Sequence, residues 1–471
     1  MTDKRHSDGS PSSLRLIGEP DSDIPLAIAV VGGGFSGVAV AAQLLRRGRP
    51  VKVTLVNRFG PIGRGVAYRT RIETHVLNVP AGGMSALPDD PEHFLRWARA
   101  RSGAVTAETF VSRRQYGEYL EFVLREAEAA LPGSLERLVG EVIDLEPDAG
   151  GACLAFADGS RRRFDRVVLA LGNYSPANPS VEGGADFYAS DRYVRDPWIR
   201  GSLDVIRPGE SVLMLGTGLT ALDISLDLAG RGAALPLRAM SRHGLLPQPH
   251  APFKMPSQAP PELVSLPMTA RGLLAAVRRA ARSSGVDWKA VIAALRPATP
   301  GIWQELYLEE RARFLRHVRP YWDVHRHRAA PETFAAVQRM RQAGELQIRA
   351  GRVLRYEPTS DGVRVVIRPR GRTETESVFV ERVVNCTGPS SDVRRIGDRF
   401  LDAVCRRRLA VPDPLALGLE VSEDLALVDA EGRPSPHLYL VGPLLKARFW
   451  EATAVAELRQ HAARVAERLL P

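Results

Sequence analysis

Two glycine-rich stretches decide the fold of this chain: Ala29-Val30-Val31-Gly32-Gly33-Gly34-Phe35-Ser36-Gly37 and Val212-Leu213-Met214-Leu215-Gly216-Thr217-Gly218-Leu219-Thr220-Ala221. In each, an apolar run predicts a buried parallel strand, and a helix with apolar periodicity follows the glycines. The first glycine of such a turn permits a tight bend. The second brings the backbone close to a pyrophosphate, and the third position, glycine or a small alanine, packs the helix on the strand. We therefore predict two dinucleotide sites with the pyrophosphate at a helix N-terminus, one on Gly32, Gly34 and Gly37 and one on Gly216, Gly218 and Ala221.

The two halves of the chain resemble each other beyond these turns. Residues 140–147 (Gly-Glu-Val-Ile-Asp-Leu-Glu-Pro) are echoed by residues 351–358 (Gly-Arg-Val-Leu-Arg-Tyr-Glu-Pro), and each segment leads through a hairpin pattern to an apolar strand that ends in glycine. This repeat predicts an α/β fold with two Rossmann-like dinucleotide-binding domains, each carrying a small β-meander. A Pro-rich stretch and several amphipathic segments predict a helical insert in the second domain at about residues 244–344.

The predicted domain boundaries follow from the same repeat. We expect the first domain at residues 25–185 and 380–471, discontinuous because a late strand near residues 437–441 completes its sheet, and the second domain at residues 186–379. Residues 1–24 are polar, rich in Ser, Asp and Pro, and lack the apolar region of a signal peptide. They predict a disordered tail.

The composition is typical of a globular enzyme of the cytoplasm. Of the 471 residues, 44% are hydrophobic and 25% are charged, and no apolar run reaches the roughly 18 residues of a membrane helix. The three cysteines are too few and too scattered for a disulfide framework, a zinc site or a redox pair. The net charge of +10 comes mainly from dispersed arginines, which argues against a nucleic acid partner and indicates a solvated surface, with attraction of anionic ligands as the alternative. Arginines within residues 316–328 are candidates for holding an anionic ligand.

Further motifs carry a family resemblance: residues 63–68 (Gly-Arg-Gly-Val-Ala-Tyr), 75–85 (His-Val-Leu-Asn-Val-Pro-Ala-Gly-Gly-Met-Ser), 241–247 (Ser-Arg-His-Gly-Leu-Leu-Pro) and 449–454 (Phe-Trp-Glu-Ala-Thr-Ala). With them the chain resembles the flavoproteins that have two dinucleotide-binding domains, and in particular a bacterial FAD/NAD(P)-binding family of monooxygenase-like proteins. The resemblance implies FAD in the first site and NADH or NADPH, as a co-substrate, in the second.

The resemblance also implies a reaction. NAD(P)H would reduce FAD, and the reduced flavin would react with molecular oxygen to give a C4a-hydroperoxide that passes one oxygen atom to a small nitrogen-containing substrate. Urate hydroxylation, a step of purine metabolism, is the first expectation, and N-hydroxylation of an amine or amino acid is the alternative. A reductase that delivers electrons to a partner protein and a nucleotide sensor without turnover are the other classes left open.

For FAD, the resemblance implies contacts beyond the glycine turn. Asn57 ends the second strand, where an acid usually binds the adenosine ribose. Val142 would offer its backbone to adenine, and Gly172 belongs to a loop that closes over the nucleotide. Gly442 precedes a proline where many relatives have aspartate, so amides near Thr453 are expected to take over flavin binding.

In the second site, the strand ends in Ser241-Arg242 without an acid. An arginine there can bind the 2′-phosphate of NADPH, but a surface arginine in an Arg-rich chain explains it equally well. Candidate catalytic residues are Asn78, which would lie near the flavin edge and donate a hydrogen bond to the reacting oxygen, and Arg64 and Tyr68, which would contact flavin or substrate. A side chain that fixes its own turn is the alternative for Asn78.

Overall fold

The computed structural model describes residues 25–254, 261–263, 266–282 and 287–471. The predicted tail at residues 1–24 lies outside them. The strands, in chain order, are β1 (Leu26–Val31), β2 (Val51–Asn57), β3 (Leu135–Val139), β4 (Val142–Asp148), β5 (Gly151–Phe156), β6 (Arg161–Phe164), β7 (Arg166–Leu169), β8 (Tyr193–Val194), β9 (Val212–Leu215), β10 (Leu237–Ser241), β11 (Leu346–Pro358), β12 (Val363–Pro369), β13 (Glu376–Val380), β14 (Arg382–Asn385), β15 (Ala426–Val428) and β16 (Pro434–Leu440).

The α-helices, in chain order, are α1 (Phe35–Arg46), α2 (His93–Arg101), α3 (Arg113–Ala130), α4 (Gly184–Tyr188), α5 (Leu219–Gly230), α6 (Ala270–Ala280), α7 (Trp288–Leu295), α8 (Thr299–Glu305), α9 (Leu308–Arg313), α10 (Arg319–Arg326), α11 (Pro331–Gln342), α12 (Val393–Ile396), α13 (Arg399–Arg406) and α14 (Val455–Leu469). In the described part of the chain, none of the helices combines the length and the apolar character needed to cross a bilayer.

The first glycine turn leaves the middle of a six-stranded sheet ordered β15-β16-β7-β1-β2-β3. β1 runs parallel to both neighbours, with Val30 opposite Leu55 on β2 and Val168 on β7. Its last four residues are buried because helices cover both faces of a parallel sheet. α1 packs against α3 and α14. The C-terminal helix therefore covers the element that follows the first turn.

The second glycine turn leaves a seven-stranded sheet ordered β13-β12-β11-β10-β9-β14-β8. β9 lies between β10 and β14 and is parallel to both. This arrangement repeats that of β1 between β2 and β7, so the two glycine turns occupy equivalent places in two Rossmann-like sheets. The prediction of an α/β fold with two such units is confirmed.

The two meanders differ in how they join their sheets. β4, β5 and β6 form a separate three-stranded sheet. In the second unit, β11 continues without a break for 13 residues. Residues 346–350 pair in parallel with β10, and residues 351–358 pair antiparallel with β12. The predicted meander of the second half is thus an extension of the main sheet.

The strand β14 corrects one predicted boundary. The sequence analysis began the second segment of the first domain at residue 380, but β14 pairs in parallel with β9 and β8 of the second sheet. Its side chains are fully buried there. The chain therefore returns to the first sheet after Asn385, because residues 382–385 pair with the strand before the second glycine turn.

The insert of the second unit packs back onto the first. The insert contains helices α6 to α10, and a π-helical segment, Phe314–Val318, joins α9 to α10. Trp303 of α8 stacks on Trp450, with ring centroids 4.7 Å apart and an interplanar angle of 28°. Arg296 forms two hydrogen bonds, of 2.7 and 2.9 Å, with Glu457 of α14. The insert thus covers the segment that begins the C-terminal helix.

Candidate functional site

A cleft of about 1110 Å³ opens along the first glycine turn. It exceeds the usual range of about 300–1000 Å³ for small-molecule pockets, as a dinucleotide requires. Gly32 and Gly34 line it, and so do Ile224, Asp227 and Arg231 of the second unit. The predicted site residues that the cleft brings together are Gly32, Gly34, Asn57, Arg64, Tyr68, Val142, Gly172 and Thr453.

Two glycines show that the turns are built alike. Gly32 has φ +120° and Gly216 has φ +111°. A Cβ on Gly32 would lie 2.1 Å from the carbonyl oxygen of Ala170, and one on Gly216 would lie 2.4 Å from that of Cys386. Only glycine fits, because the conformation is strained for other residues and the neighbouring strand leaves no space.

The helices that follow the two turns begin alike as well. Gly34 precedes α1 and Gly218 precedes α5, both in extended conformation and neither with a side-chain cap. Backbone amides at both helix starts therefore remain available to phosphate oxygens. Gly37 is buried in the first turn of α1 and Ala221 in that of α5, where they pack the helix against its sheet. These features fit a dinucleotide at each turn.

Asn57 has a structural task beside the cleft. Its Oδ1 accepts a 3.3 Å hydrogen bond from the amide of Gly33. Its Nδ2 donates to the carbonyls of Phe59 and Gly60, at 2.9 and 3.1 Å. The side chain thus ties the glycine turn to the loop after β2. Contact with an adenosine ribose remains a prediction.

Arg64 and Tyr68 both line the cleft, and each contacts a residue of α3. Arg64 Nε donates a 2.7 Å hydrogen bond to Glu121, and this bond raises the pKa of the Arg64 guanidinium. The Tyr68 ring lies 4.6 Å from that of Tyr116. Burial raises the pKa of Tyr68 to about 12, so the phenol stays protonated at neutral pH. Both side chains can contact a bound cofactor, and neither is placed as a proton acceptor.

The remaining residues predicted for FAD lie around the same cleft. Val142, the buried first residue of β4, and Gly172, after β7, line it. Gly442 does not, but its Cα faces the start of α1, since a Cβ there would lie 3.5 Å from Ser36 Oγ. Pro443 and Thr453 line the cleft. The C-terminal segment therefore lines the cleft at the position where many related flavoproteins have an aspartate.

The second turn ends in a polar, basic corner. The hydroxyl of Thr217, a residue the sequence analysis did not single out, donates to the carbonyl of Leu245 at 2.6 Å and lies 2.8 Å from Ser241 Oγ. Ser241 Oγ also accepts from the amide of Gly244 at 2.9 Å. Ser241 thus shapes the loop after β10.

Arg242 is exposed beside this corner, and two more arginines from β11 and the end of β12 lie near it. Burial and the nearby charges of Arg370, Arg242 and Arg352 lower the pKa of His243, and Arg370 hydrogen bonds to the His243 ring. Arg352 on β11 and Arg370 just after β12 are far from Arg242 in sequence, which is why the sequence suggested a single arginine. The three guanidinium groups form a basic surface where the 2′-phosphate of a coenzyme on the second turn is expected.

A smaller cavity of about 180 Å³ joins the two units. Val66 and Ala67, from the loop that also lines the large cleft, form one wall, and Leu219 and Thr220, at the start of α5, form another. Trp198, from the linker before the second unit, lines both spaces. The first glycine turn and the start of α5 thus face adjoining spaces.

An ion pair crosses this cavity. Arg113 at the start of α3 donates to Asp223 of α5 at 2.6 Å, and both side chains are largely buried. The guanidinium also lies over the Trp198 ring, 5.1 Å from its centroid. Sequence reasoning missed this pair, since no local pattern connects residues 110 positions apart.

Asn78 lies at a different interface. It does not line either of these spaces, and its carbonyl accepts a 2.9 Å hydrogen bond from His250 Nε2 of the insert. Burial, followed by the charges of Arg328 and Arg326, lowers the pKa of His250 to about 4. His250 is therefore neutral at pH 7. The role of the Asn78 side chain at a flavin remains a prediction.

Arg326 and Arg328 place positive charge at this interface. Arg326 pairs with the buried Glu451 at 2.7 Å. Burial, and then the charge of Arg326, lowers the pKa of Arg328. Arg328 Nη1 is buried without a hydrogen-bond partner among the described residues. Arg328 is half-buried, and its guanidinium lies over the Phe253 ring, 5.4 Å from the ring centroid.

Comparison with known proteins agrees with this geometry. Residues 29–174 match the family model described as FAD-NAD(P)-binding. Residues 29–174 are an FAD/NAD(P)-binding domain. This domain contains the first glycine turn, Asn57, Arg64, Tyr68, Asn78, Val142 and Gly172.

Among curated proteins, the chain is 35% identical over 158 residues to an L-aspartate N-monooxygenase (nitrosuccinate-forming) of Streptomyces cremeus. The match covers 31% of this chain and 23% of that protein. The chain spans less than half the length of the curated relatives it matches. The activity of this whole chain is therefore a matter for proposal.

Among solved structures, the ornithine hydroxylase of Pseudomonas aeruginosa matches with a TM-score of 0.64 at 16% identity, over 95% of this chain and 99% of that one. The L-lysine 6-monooxygenase of Pseudomonas syringae matches with a TM-score of 0.63 at 15% identity, over 95% and 100%. At such identities the likeness concerns the fold. Both matches extend well beyond the FAD/NAD(P)-binding domain and include the second unit.

Proposed function

We propose that this protein is an FAD-dependent, NAD(P)H-consuming monooxygenase that hydroxylates the amine nitrogen of an amino acid. One observation carries the proposal: the cavity at the start of α5 adjoins the cleft along the first glycine turn, and both share Val66, Ala67 and Trp198. A coenzyme on the second turn would thus reach a flavin on the first, as hydride transfer requires.

Different residues of the chain would serve different functions in such a reaction. Amides at the starts of α1 and α5 bind the two pyrophosphates, and Arg64, fixed by Glu121, and the protonated Tyr68 form the cleft wall. FAD, when bound, supplies the reaction with hydride from NAD(P)H and the activation of oxygen. Trp198, Arg113 and Asp223 line the space between the units and would limit the access of water to it.

The choice of an amine nitrogen rests on the relatives. The curated relative acts on L-aspartate, and the structural neighbours are named for ornithine and lysine. They favour N-hydroxylation over urate hydroxylation, which the sequence analysis placed first. Amino-acid substrates also carry a carboxylate, and we propose that Arg328 binds it, since its buried Nη1 has no hydrogen-bond partner among the described residues.

A reductase of the disulfide type receives no support from the cysteines. The chain has three, Cys153, Cys386 and Cys405, and all are free thiols on separate elements. Burial raises the pKa of the Cys386 and Cys405 thiols, which disfavours the reactive thiolate. Flavin chemistry with oxygen therefore remains the better-supported class.

The test is oxygen incorporation by the FAD-loaded protein. Purified enzyme is supplied with NADPH or NADH, ¹⁸O₂, and in turn L-aspartate, L-ornithine, L-lysine and urate. We expect one amino acid to stimulate oxygen uptake and to yield a product that carries ¹⁸O on nitrogen, detected by mass spectrometry. Labelled product from urate alone would replace the proposal with urate hydroxylation, and coenzyme oxidation that requires an added electron acceptor would replace it with a reductase.

Gly216→Ala supplies the matched variant. Its Cβ would meet the Cys386 carbonyl oxygen, which distorts the second turn alone. We expect this variant to keep its FAD and to lose NAD(P)H-dependent flavin reduction, while dithionite still reduces the flavin. Wild-type rates of reduction by NAD(P)H would show that the coenzyme does not bind at the second turn.

A further inference from the structure

The helical insert lines a further cavity, of about 290 Å³, separate from the cofactor cleft. Its walls come from α6, α7, α8, α10 and the π-helical segment, together with Trp450 of the C-terminal segment. It shares no lining residue with the cleft along the first glycine turn or with the cavity between the units. An occupant would therefore not compete with either nucleotide.

The walls are aromatic and ordered by contacts among themselves. The Trp303 and Trp450 rings are stacked, and Phe314 meets both edge to face, with centroids 5.9 and 5.3 Å away. On another wall, the His325 ring stands at 88° to the Trp288 ring, 4.8 Å away. Such a set of faces and edges is complementary to another planar ring.

Polar groups of three aromatic residues in these walls form hydrogen bonds with other groups of the protein. Trp303 Nε1 donates to the carbonyl of Ala447 at 2.9 Å. Trp322 Nε1 donates to Glu451 at 3.2 Å, and His325 Nδ1 is hydrogen bonded to the carbonyl of Tyr321 at 2.7 Å. The indole nitrogens of Trp303 and Trp322 are therefore engaged with the protein. Although Arg278 also lines the cavity, its walls are mainly apolar, so a strongly polar occupant would lose hydration with few partners to replace it.

The π-helical segment adds a second argument. Phe314 and Val318, its first and last residues, both line the cavity. A π-helical turn is rarely adopted and occurs frequently at functional sites. Here it widens the helix between α9 and α10 where the cavity lies.

We propose that this cavity is a binding site for an uncharged aromatic small molecule of about the size of indole. Apolar cavities of about 150 Å³ already hold benzene, so the space suffices for a two-ring compound. The occupant would contact Trp322 and Trp450, which flank the Glu451 carboxylate that holds Arg326. The site is thus connected to the charged interface of the insert, and its existence does not depend on the proposed function.

The test is calorimetric titration of the full-length, FAD-loaded protein with indole, compared with Ile302→Trp and Val277→Phe, which fill the cavity from α8 and α6. Leu308→Trp is the control, because Leu308 lies on α9 of the same insert, is 46% exposed and does not line the cavity. We expect one site with Kd of about 0.1–1 mM for the wild type and the control, and at least tenfold weaker binding to both filled variants.

Two results would overturn the proposal: the absence of saturable binding to the wild type up to about 5 mM indole, or undiminished affinity in a filled variant. Flavin content and circular dichroism establish that each variant is folded. If one filled variant does not fold, the other, together with the wild-type titration, still decides the outcome. Indole-3-carboxylate serves as the charged probe, and equal affinity for it at a site that Val277→Phe blocks would contradict the uncharged class.

Discussion

Arg113 Nη2 and Asp223 Oδ2 lie 2.6 Å apart and join the helix α3 of the first unit to the helix that follows the second glycine turn. The exposed fractions of the two side chains are 16% and 6%. Water therefore cannot replace either partner without opening the contact between the units. The pair links the relative position of the two nucleotide turns to the stability of the protein.

Removing one partner of this pair should be costly. We expect Asp223→Ala to lower the free energy of unfolding by about 3 kcal/mol, because Arg113 is left as an unpaired, buried charge. The measurement is urea denaturation followed by circular dichroism. Arg46→Gln is the control, since the Arg46–Asp89 pair is exposed and should contribute at most about 1 kcal/mol. Equal losses of unfolding free energy in the two variants would show that the Arg113–Asp223 pair contributes no more to stability than an exposed pair.

Gly32→Ala should abolish FAD binding. The added Cβ would lie 2.1 Å from the Ala170 carbonyl oxygen at the bottom of the turn, so the backbone that faces the pyrophosphate must move. The flavin-to-protein absorbance ratio of the purified variant measures the loss. Gly48→Ala provides the comparison, because Gly48 also has positive φ but its Cβ would meet no atom within 4 Å. Normal flavin content in Gly32→Ala would place FAD elsewhere.

The basic surface around Arg242 should determine the preference for NADPH over NADH. If the 2′-phosphate of NADPH binds there, Arg242→Gln should raise the KM for NADPH by about tenfold or more, since a charge-assisted contact is lost, and leave that for NADH nearly unchanged. Steady-state coenzyme oxidation with both nucleotides gives the two values. Arg364→Gln, exposed on β12, should change neither. A parallel rise for both coenzymes would point to a general loss of binding.

The stability of the fold should fall between pH 7 and pH 5 through His461. Burial lowers the pKa of this histidine to about 4, so the folded protein keeps it neutral while the unfolded chain takes up a proton near pH 6.5. The unfolded state thus binds more protons below pH 6.5, and the stabilisation is lost as the pH falls toward 4. From pH 7 to pH 5 the loss should be on the order of 1–2 kcal/mol.

The check is urea denaturation at both pH values. In His461→Gln the loss of unfolding free energy between pH 7 and pH 5 should be smaller than in the wild type by about 1–2 kcal/mol. This difference does not depend on the stability of the variant at pH 7. His317→Gln, at an exposed histidine, should leave the pH dependence of the wild type intact. An unchanged pH dependence in His461→Gln would exclude this histidine as its source.

Local patterns predicted much of the first site. The glycines at 32, 34 and 37 follow an apolar strand, and the loop residues Asn57, Arg64 and Tyr68 come within about thirty residues of them, so their arrival at one cleft follows from a single βαβ crossover. Val142 and Gly172 follow from the same repeat. The expected task of Asn57 was less visible, because its hydrogen bonds go to backbone groups of two neighbouring loops.

The charged interface of the insert was not predictable in the same way. The sequence suggested arginines at residues 316–328 as a group, but it did not separate Arg326, which forms an ion pair with Glu451, from Arg328, which lies over the Phe253 ring. That difference depends on how α10 meets the segment before α14, more than a hundred residues later. The aromatic cavity depends on the same packing.

By itself, the sequence determined the two glycine turns, the α/β class and the helical character of the insert. These are local properties, set by glycine conformation, apolar periodicity and hydrogen bonding within a few turns. Only the tertiary structure decided that β14 joins the second sheet, that Arg113 meets Asp223, and that Trp303 stacks on Trp450. Each of these contacts joins distant segments, and it forms because the packed sheets and helices leave one arrangement in which the apolar faces are buried and the charges are paired.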